Sequence, residues 1–227
     1  MRRSTASLAA VAICVLIAGC TSTGHAESTT PTRTLIPRPL VERELASLLL
    51  SPEEVDVAMG TRGMAVTQSQ SAMSDHSAAM SPPECLAVDG AAEALVYADS
   101  GFRAERDESL NNGDNFTHYL KQAVVLFPTV DMAAAFFDAS AAQWPACREY
   151  THTQSGTQWS PGQITNADGI LSTVATQQDA AAPGWACGRA LALRNNIIVD
   201  INTCSADPAD SAPKIARQIA DDVTSRW

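Results

Sequence analysis

Residues 185–204 read WACGRALALRNNIIVDINTC, and this stretch decides the fold. Residues 185–194 and 197–203 are two strand-like runs, separated by Asn195-Asn196. Asparagine tolerates positive φ, so the pair suits a two-residue primed turn, which sets Arg194 opposite Ile197. Counting back from that hydrogen-bonded pair, cross-strand pairs alternate in kind, and Cys187 falls opposite Cys204 at a non-hydrogen-bonded position. Cα atoms there stand about 4.5 Å apart, inside the disulfide range, so the register predicts a Cys187–Cys204 bridge. One face of the hairpin then carries Ala190, Ala192, Val199 and Ile201, smooth and apolar, and should meet helices. The other carries Cys187, Arg189, Leu191 and Leu193 against Ile198, Asp200, Asn202 and Cys204. Arg189 lies opposite Asn202 and diagonal to Asp200. Arg189, Asp200 and Asn202 are thus the candidate ligand-binding group, expected to line a cleft; the plainer alternative is a structural ion pair on a partly exposed sheet.

Disulfides require export, and the first residues supply it. Arg2 and Arg3 precede an apolar run from Ala6 to Ile17, which ends at Ala18-Gly19-Cys20. About a dozen apolar residues are too few to cross roughly 30 Å of hydrocarbon, but they fit the core of a secretory signal. Leu16-Ile17-Ala18-Gly19-Cys20 resembles the bacterial lipobox, in which the cysteine thiol takes a diacylglycerol and becomes the new N-terminus. Residues 1–19 are therefore expected to be a signal peptide and Cys20 a lipid anchor to the membrane. Residues 20–40, rich in Ser, Thr and Pro, read as a flexible tether. Cys14 leaves with the signal. Of the remaining four cysteines, Cys85 and Cys147 pair by elimination, and each bridge contributes about 3–4.5 kcal/mol in the loop-entropy account. A zinc site would want CxxC or clustered histidines, and neither spacing occurs.

Residues 41–227 read as one α+β domain: an antiparallel sheet with packed helices and two disulfides. Val41–Leu50 is a short amphipathic helix candidate. Ser51-Pro52-Glu53-Glu54 opens another, with serine as N-cap, proline at the first helical position and glutamate at the third, and Gly60 closes it. Helices are also expected over 87–98, 131–144 and from about Pro213, where Ile215, Ile219 and Val223 recur at four-residue spacing. Ser211 is read as the N-cap of the last. Strands are expected near 64–68, 102–107, 116–127, 149–154 and 170–177, with 69–84 as a loop. The chain has 227 residues, 45% hydrophobic and 18% charged, so it supports a packed core. A formal charge of −10 argues against a nucleic-acid partner, which demands a basic footprint.

Further marks run through the body: Leu49-Leu50-Ser51 with Met59-Gly60, Ser81-Pro82-Pro83 before Cys85, Gln122-Ala123-Val124 leading to Phe127-Pro128, then Phe137, Trp144 and Cys147. With Trp185, Cys187, Arg189-Ala190, Asn195-Asn196, Val199-Asp200 and Cys204, this pattern resembles the extracellular sensor domain of PknH-type mycobacterial serine/threonine kinases, over about residues 41–227. The resemblance implies an α+β fold with two disulfides, a sizeable cleft and a ligand-sensing role. Several lipoproteins of those bacteria are similar and lack the kinase. This chain carries no Gly-rich phosphate loop, HRD or DFG.

Catalytic readings are weak one by one. His76 follows Asp75 near Ser74 and Ser77, but triad partners meet in space and no GxSxG elbow occurs. Ser211-Ala-Pro-Lys214 matches SxxK without its SDN and KTG companions. The carboxylate pairs Glu53-Glu54 and Asp221-Asp222 read as solvated faces, and Asn115-Phe116-Thr117 as a chance glycosylation triplet. Tyr97, His152 and Trp159 are aromatics outside the helix stripes, free to face core or cleft. The expected function is a non-catalytic envelope lipoprotein that binds a small-molecule or envelope ligand and uses no cofactor. The alternatives are an accessory docking subunit and, further off, a hydrolase with an unrecognised site.

Overall fold

The computed structural model describes residues 38–226. The expected signal peptide, Cys20 and most of the expected tether lie outside the described residues. In chain order the elements are α1 (Pro52–Met59), β1 (Ala65–Gln70), β2 (Met80–Ser81), α2 (Leu86–Asp89), α3 (Ala94–Tyr97), β3 (Ala104–Asn111), β4 (Tyr119–Leu126) and α4 (Val130–Gln143). Then come β5 (Tyr150–His152), β6 (Thr157–Pro161), β7 (Thr165–Ala167), β8 (Ile170–Gln177), β9 (Ala186–Arg194), β10 (Ile197–Ser205) and α5 (Ser211–Thr224). The strands form a single antiparallel sheet in the order β1-β3-β4-β10-β9-β8-β6-β5-β2, with β7 beside β8.

The β9–β10 hairpin sits at the centre in the expected register: Arg194 faces Ile197 and Cys187 faces Cys204. Asn195 takes a φ of 54°, the left-handed conformation the turn requires. Cys187 is bonded to Cys204 with Cα atoms 4.1 Å apart, and Cys85 to Cys147 at 5.1 Å. Ala190, Ala192, Val199 and Ile201 pack on Ile215, Ile219 and Val223 of α5 in one core cluster. A period-2 strand face met by a period-3.6 stripe is the ordinary solution to burying both. Turn residue Asn196 also ties down the chain before the first turn. Its side chain accepts from Leu40 N (2.8 Å) and donates to Leu40 O (3.1 Å) and Phe127 O (2.9 Å).

Local signals at α1 are realised as read. Glu54 N donates to Ser51 Oγ (3.4 Å), Ser51 N donates to Glu54 Oε2 (2.8 Å), and Gly60 closes the helix at φ 65°. Other expectations change. The Val41–Leu50 candidate is a 3₁₀ turn over Glu42–Leu48. The 69–84 loop contains the edge strand β2, and β6 and β7 are additional. Ser211 is the first helical residue rather than the cap: its hydroxyl lies 2.8 Å from that of Thr203 on β10, and Asp210 holds the N-cap position. The helix expected over 87–98 is two single turns, α2 and α3, broken at Gly90-Ala91-Ala92, where Ala92 has a φ of 51°. The reason lies in the sheet beneath it.

Candidate functional site

On the face away from α5 the sheet carries charge. Its pairing sets Asp107, Ala123 and Asp200 in one row across β3, β4 and β10, and Ser109, Lys121 and Asn202 in the next. The polar side chains among these meet no helix stripe, so burial costs each of them whatever hydrogen bonds it does not recover from a specific partner.

Arg189 and Asp200 achieve this with backbone from the 87–97 segment. Arg189 is 1% exposed; its Nη1 donates to Asp200 Oδ1 (2.5 Å) and Ile201 O (2.8 Å), its Nη2 to Ala87 O (3.1 Å) and Gly90 O (2.6 Å). Its guanidinium also lies over the Trp144 ring, 5.3 Å from the centroid. Asp200 Oδ2 accepts from Ala92 N (3.0 Å) and the Tyr97 hydroxyl (2.9 Å). A continuous helix would spend those carbonyls and N–H groups on itself. The break at Gly90–Ala92 is what turns them down onto the ion pair. Burial, with Asp200 alongside, pushes the Tyr97 phenol well up, so it stays a donor.

Arg189 and Asp200 therefore lie beneath the 87–97 wall and do not line the cleft expected of them: bonds from both guanidinium Nη groups and to both carboxylate oxygens keep them buried, with only Arg189 Nε left without a described partner. Asn202 does line it, donating from Nδ2 to Asp89 O at 2.9 Å. The cavity above measures about 570 Å³. Its floor holds Ser109, Lys121, Asn202 and the Cys187–Cys204 bridge. Lys121 Nζ donates to Ser74 Oγ (2.8 Å) and stands 3.9 Å from Asp107 Oδ2. Two imidazole–carboxylate pairs form the walls: His76 Nδ1 is 2.7 Å from Glu93 Oε1, and His152 Nε2 is 2.9 Å from Asp89 Oδ1. The Asp89 hydrogen bond raises the His152 ring above the usual imidazole range, against the opposing effect of burial. Glu93 also accepts from His76 N (3.0 Å). His76 is thus served by a residue far along the chain, while the neighbouring Asp75 caps Ser77 (2.6 Å).

Aromatic rings complete the lining. Phe116, Tyr119 and Trp185 cluster at the mouth and Trp159 lies deeper beside His152, whose ring is 5.7 Å away. Of the three aromatics left open by the sequence, His152 and Trp159 face the cavity and Tyr97 is core. Lys121, Asp89, Glu93, Phe116 and Trp185 were missed. Their pattern along the chain is that of ordinary strand and loop residues.

Beside the cavity, Glu105 and Asp107 are 1% and 0% exposed, and no described protein donor reaches their carboxyl oxygens within hydrogen-bond distance. Burial, then the Asp107 charge, raises Glu105 to about 7. Burial likewise raises Asp107, with Lys121 pulling it back. Among the described residues no cluster of His, Cys, Asp and Glu is suited to a metal ion, and no helix is long and apolar enough to cross a membrane.

A family model described as the PknH-like extracellular domain matches residues 40–222. The chain is 32% identical over 220 residues to the serine/threonine-protein kinase PknH of Mycobacterium bovis, covering 95% of this chain and 36% of that protein. It is 33% identical over 192 residues to PknH of Mycobacterium tuberculosis (strain CDC 1551 / Oshkosh), covering 82% and 30% respectively. The chain thus spans about a third of the length of the curated relatives it matches. The crystal structure of the extracellular domain of PknH from Mycobacterium tuberculosis superimposes with a TM-score of 0.78 at 31% identity, over 84% of this chain and all of that one.

Proposed function

This chain belongs to the PknH-like extracellular domain family, and from that premise we propose that it is a non-catalytic, lipid-anchored envelope protein whose extracytoplasmic domain binds a ligand. The observation that carries the reading is the cavity of about 570 Å³, a size typical of small-molecule sites, held open over the sheet by the Arg189–Asp200 anchor. Its walls are fixed to the sheet by side-chain hydrogen bonds, so it is pre-formed and a ligand need not order it. Two disulfides suit an oxidising compartment outside the membrane. The lipobox-like Leu16–Cys20 run supplies the anchor, since an acidic body gains nothing from anionic lipid. Arg189, Asp200 and Asn202 keep a place in this reading: Asn202 as a contact, the other two as the support beneath it.

Thermal-shift screening of the purified protein against envelope fragments and small metabolites tests it. At least one compound raises the melting temperature by mass action. The shift disappears in Ser155→Trp, which places an indole in the cavity from an exposed lining position. A shift that persists in Ser155→Trp places binding elsewhere and rejects the cavity. Mass spectrometry of membrane-extracted material, showing a diacylglyceryl cysteine that Cys20→Ala abolishes, tests the anchor.

A further inference from the structure

With the cavity as the ligand site, as proposed above, the chemistry of its lining narrows the ligand class. No charge facing the cavity is bare. Glu93 is bound by His76 and Asp89 by His152, while Lys121 is held by Ser74 and Asp107. A net anion would have to take Lys121 from its partners, and a net cation would have to displace an imidazole from a carboxylate. Each exchange breaks a contact the side chains already make, and each adds desolvation.

What remains free is hydrogen-bonding capacity of mixed sign. Asn202 is 7% exposed and uses its Nδ2 on Asp89 O. Among the described residues, the one hydrogen-bond contact of its Oδ1 is with Cys204 Sγ at 3.5 Å, and that sulfur is bonded to Cys187 and carries no hydrogen. A buried acceptor at the cavity floor is therefore left without a donor among the described residues, and it calls for an O–H or N–H from a ligand. Gln68 and Gln154 line the walls with amides that both donate and accept. Each imidazole, fixed through one nitrogen, presents the other.

The rings supply the apolar part. Phe116 is 43% exposed, although large apolar side chains gain most from burial. Its centroid lies 6.3 Å from both Tyr119 and Trp185, at interplanar angles of 44° and 53°. These tilted rings leave faces open at the mouth, and an electron-rich ring face attracts weakly positive C–H groups.

We infer that the cavity takes a neutral polyhydroxylated ligand, a saccharide, whose hydroxyls bond to Asn202 and the polar walls and whose C–H faces rest on Phe116 and Trp185. Saturation-transfer NMR on the purified full-length protein tests this. The probes are the methyl glycosides of glucose, galactose, mannose and arabinose, with benzoate and tetramethylammonium as charged ones. At least one glycoside is expected to receive saturation at its ring C–H protons. Phe116→Ala and Trp185→Ala each weaken that binding by about 2–10-fold, the worth of one ring contact. If no glycoside binds but benzoate or tetramethylammonium does, in a way these variants weaken, the saccharide inference falls and the cavity reading stands. If a glycoside binds equally to both variants, it sits elsewhere and the inference falls. If no probe binds, the saccharide inference falls, while the thermal-shift screen with Ser155→Trp decides the cavity reading separately.

Discussion

The two faces of the β9–β10 hairpin come from alternate residues of the same strands, yet they are buried in opposite ways. Ala190, Ala192, Val199 and Ile201 meet the regular helix α5 and need only shape. Arg189 and Asp200 meet the broken segment from Ala87 to Tyr97 and need specific carbonyls, an N–H and a hydroxyl. An apolar face accepts any helix with the right stripe. A charged face accepts only backbone that withholds its hydrogen bonds from itself, so irregular structure collects above it and leaves room for a cavity.

The sharpest way to break this contrast is Arg189→Met. It leaves Asp200 buried and unpaired and is expected to cost about 3–5 kcal/mol in urea unfolding. A cost under about 1 kcal/mol would mean that the wall over the cavity does not depend on the ion pair. Ile219→Ala, at the centre of the apolar face, should cost about 3 kcal/mol through lost burial and the cavity left behind. It should leave ligand-induced thermal shifts intact, whereas Arg189→Met should remove them.

Glu105→Gln probes the charged face with the opposite sign. Glu105 is raised in the folded protein from 4.5 to about 7. Folding therefore favours its protonated form, and the stability it allows is full below about pH 4.5 and lost as pH rises through 7. The glutamine variant should be more stable than the parent by about 2 kcal/mol at pH 8, equal to it near pH 4, and flatter in between. Equal stability at both pH values would show that the carboxyl finds a donor or solvent in the fold. Smallest of all is Phe116→Ala, whose stability should stay within about 0.5 kcal/mol of the parent because the residue is 43% exposed and sits at the cavity mouth rather than in the core.

Legibility followed the same division. The Ser51 cap, the Gly60 stop and the Asn195-Asn196 turn act over a few residues, and each is where its residues put it. The Ala87–Ala98 stretch reads as one helix because its five alanines and Leu95 do favour helix. The partners that break it are Arg189 and Asp200, about a hundred residues away. Arg189 and Asp200 were visible as a pair, but whether they faced solvent, cavity or wall depended on that same distant segment. Phe116 and Trp185 lie in loops on different strands' ends and carry no period to connect them.

The sequence by itself determined the hairpin, its register and the cysteines it joins, because a two-residue turn fixes every pair that follows. It also determined which sheet face would take α5, since alternation and i+4 spacing are properties of neighbours. Only the tertiary structure decided that the other face would carry a cavity floored by Asn202 and Lys121. That outcome depends on which distant backbone groups are left free to satisfy buried charge, a condition no local pattern encodes.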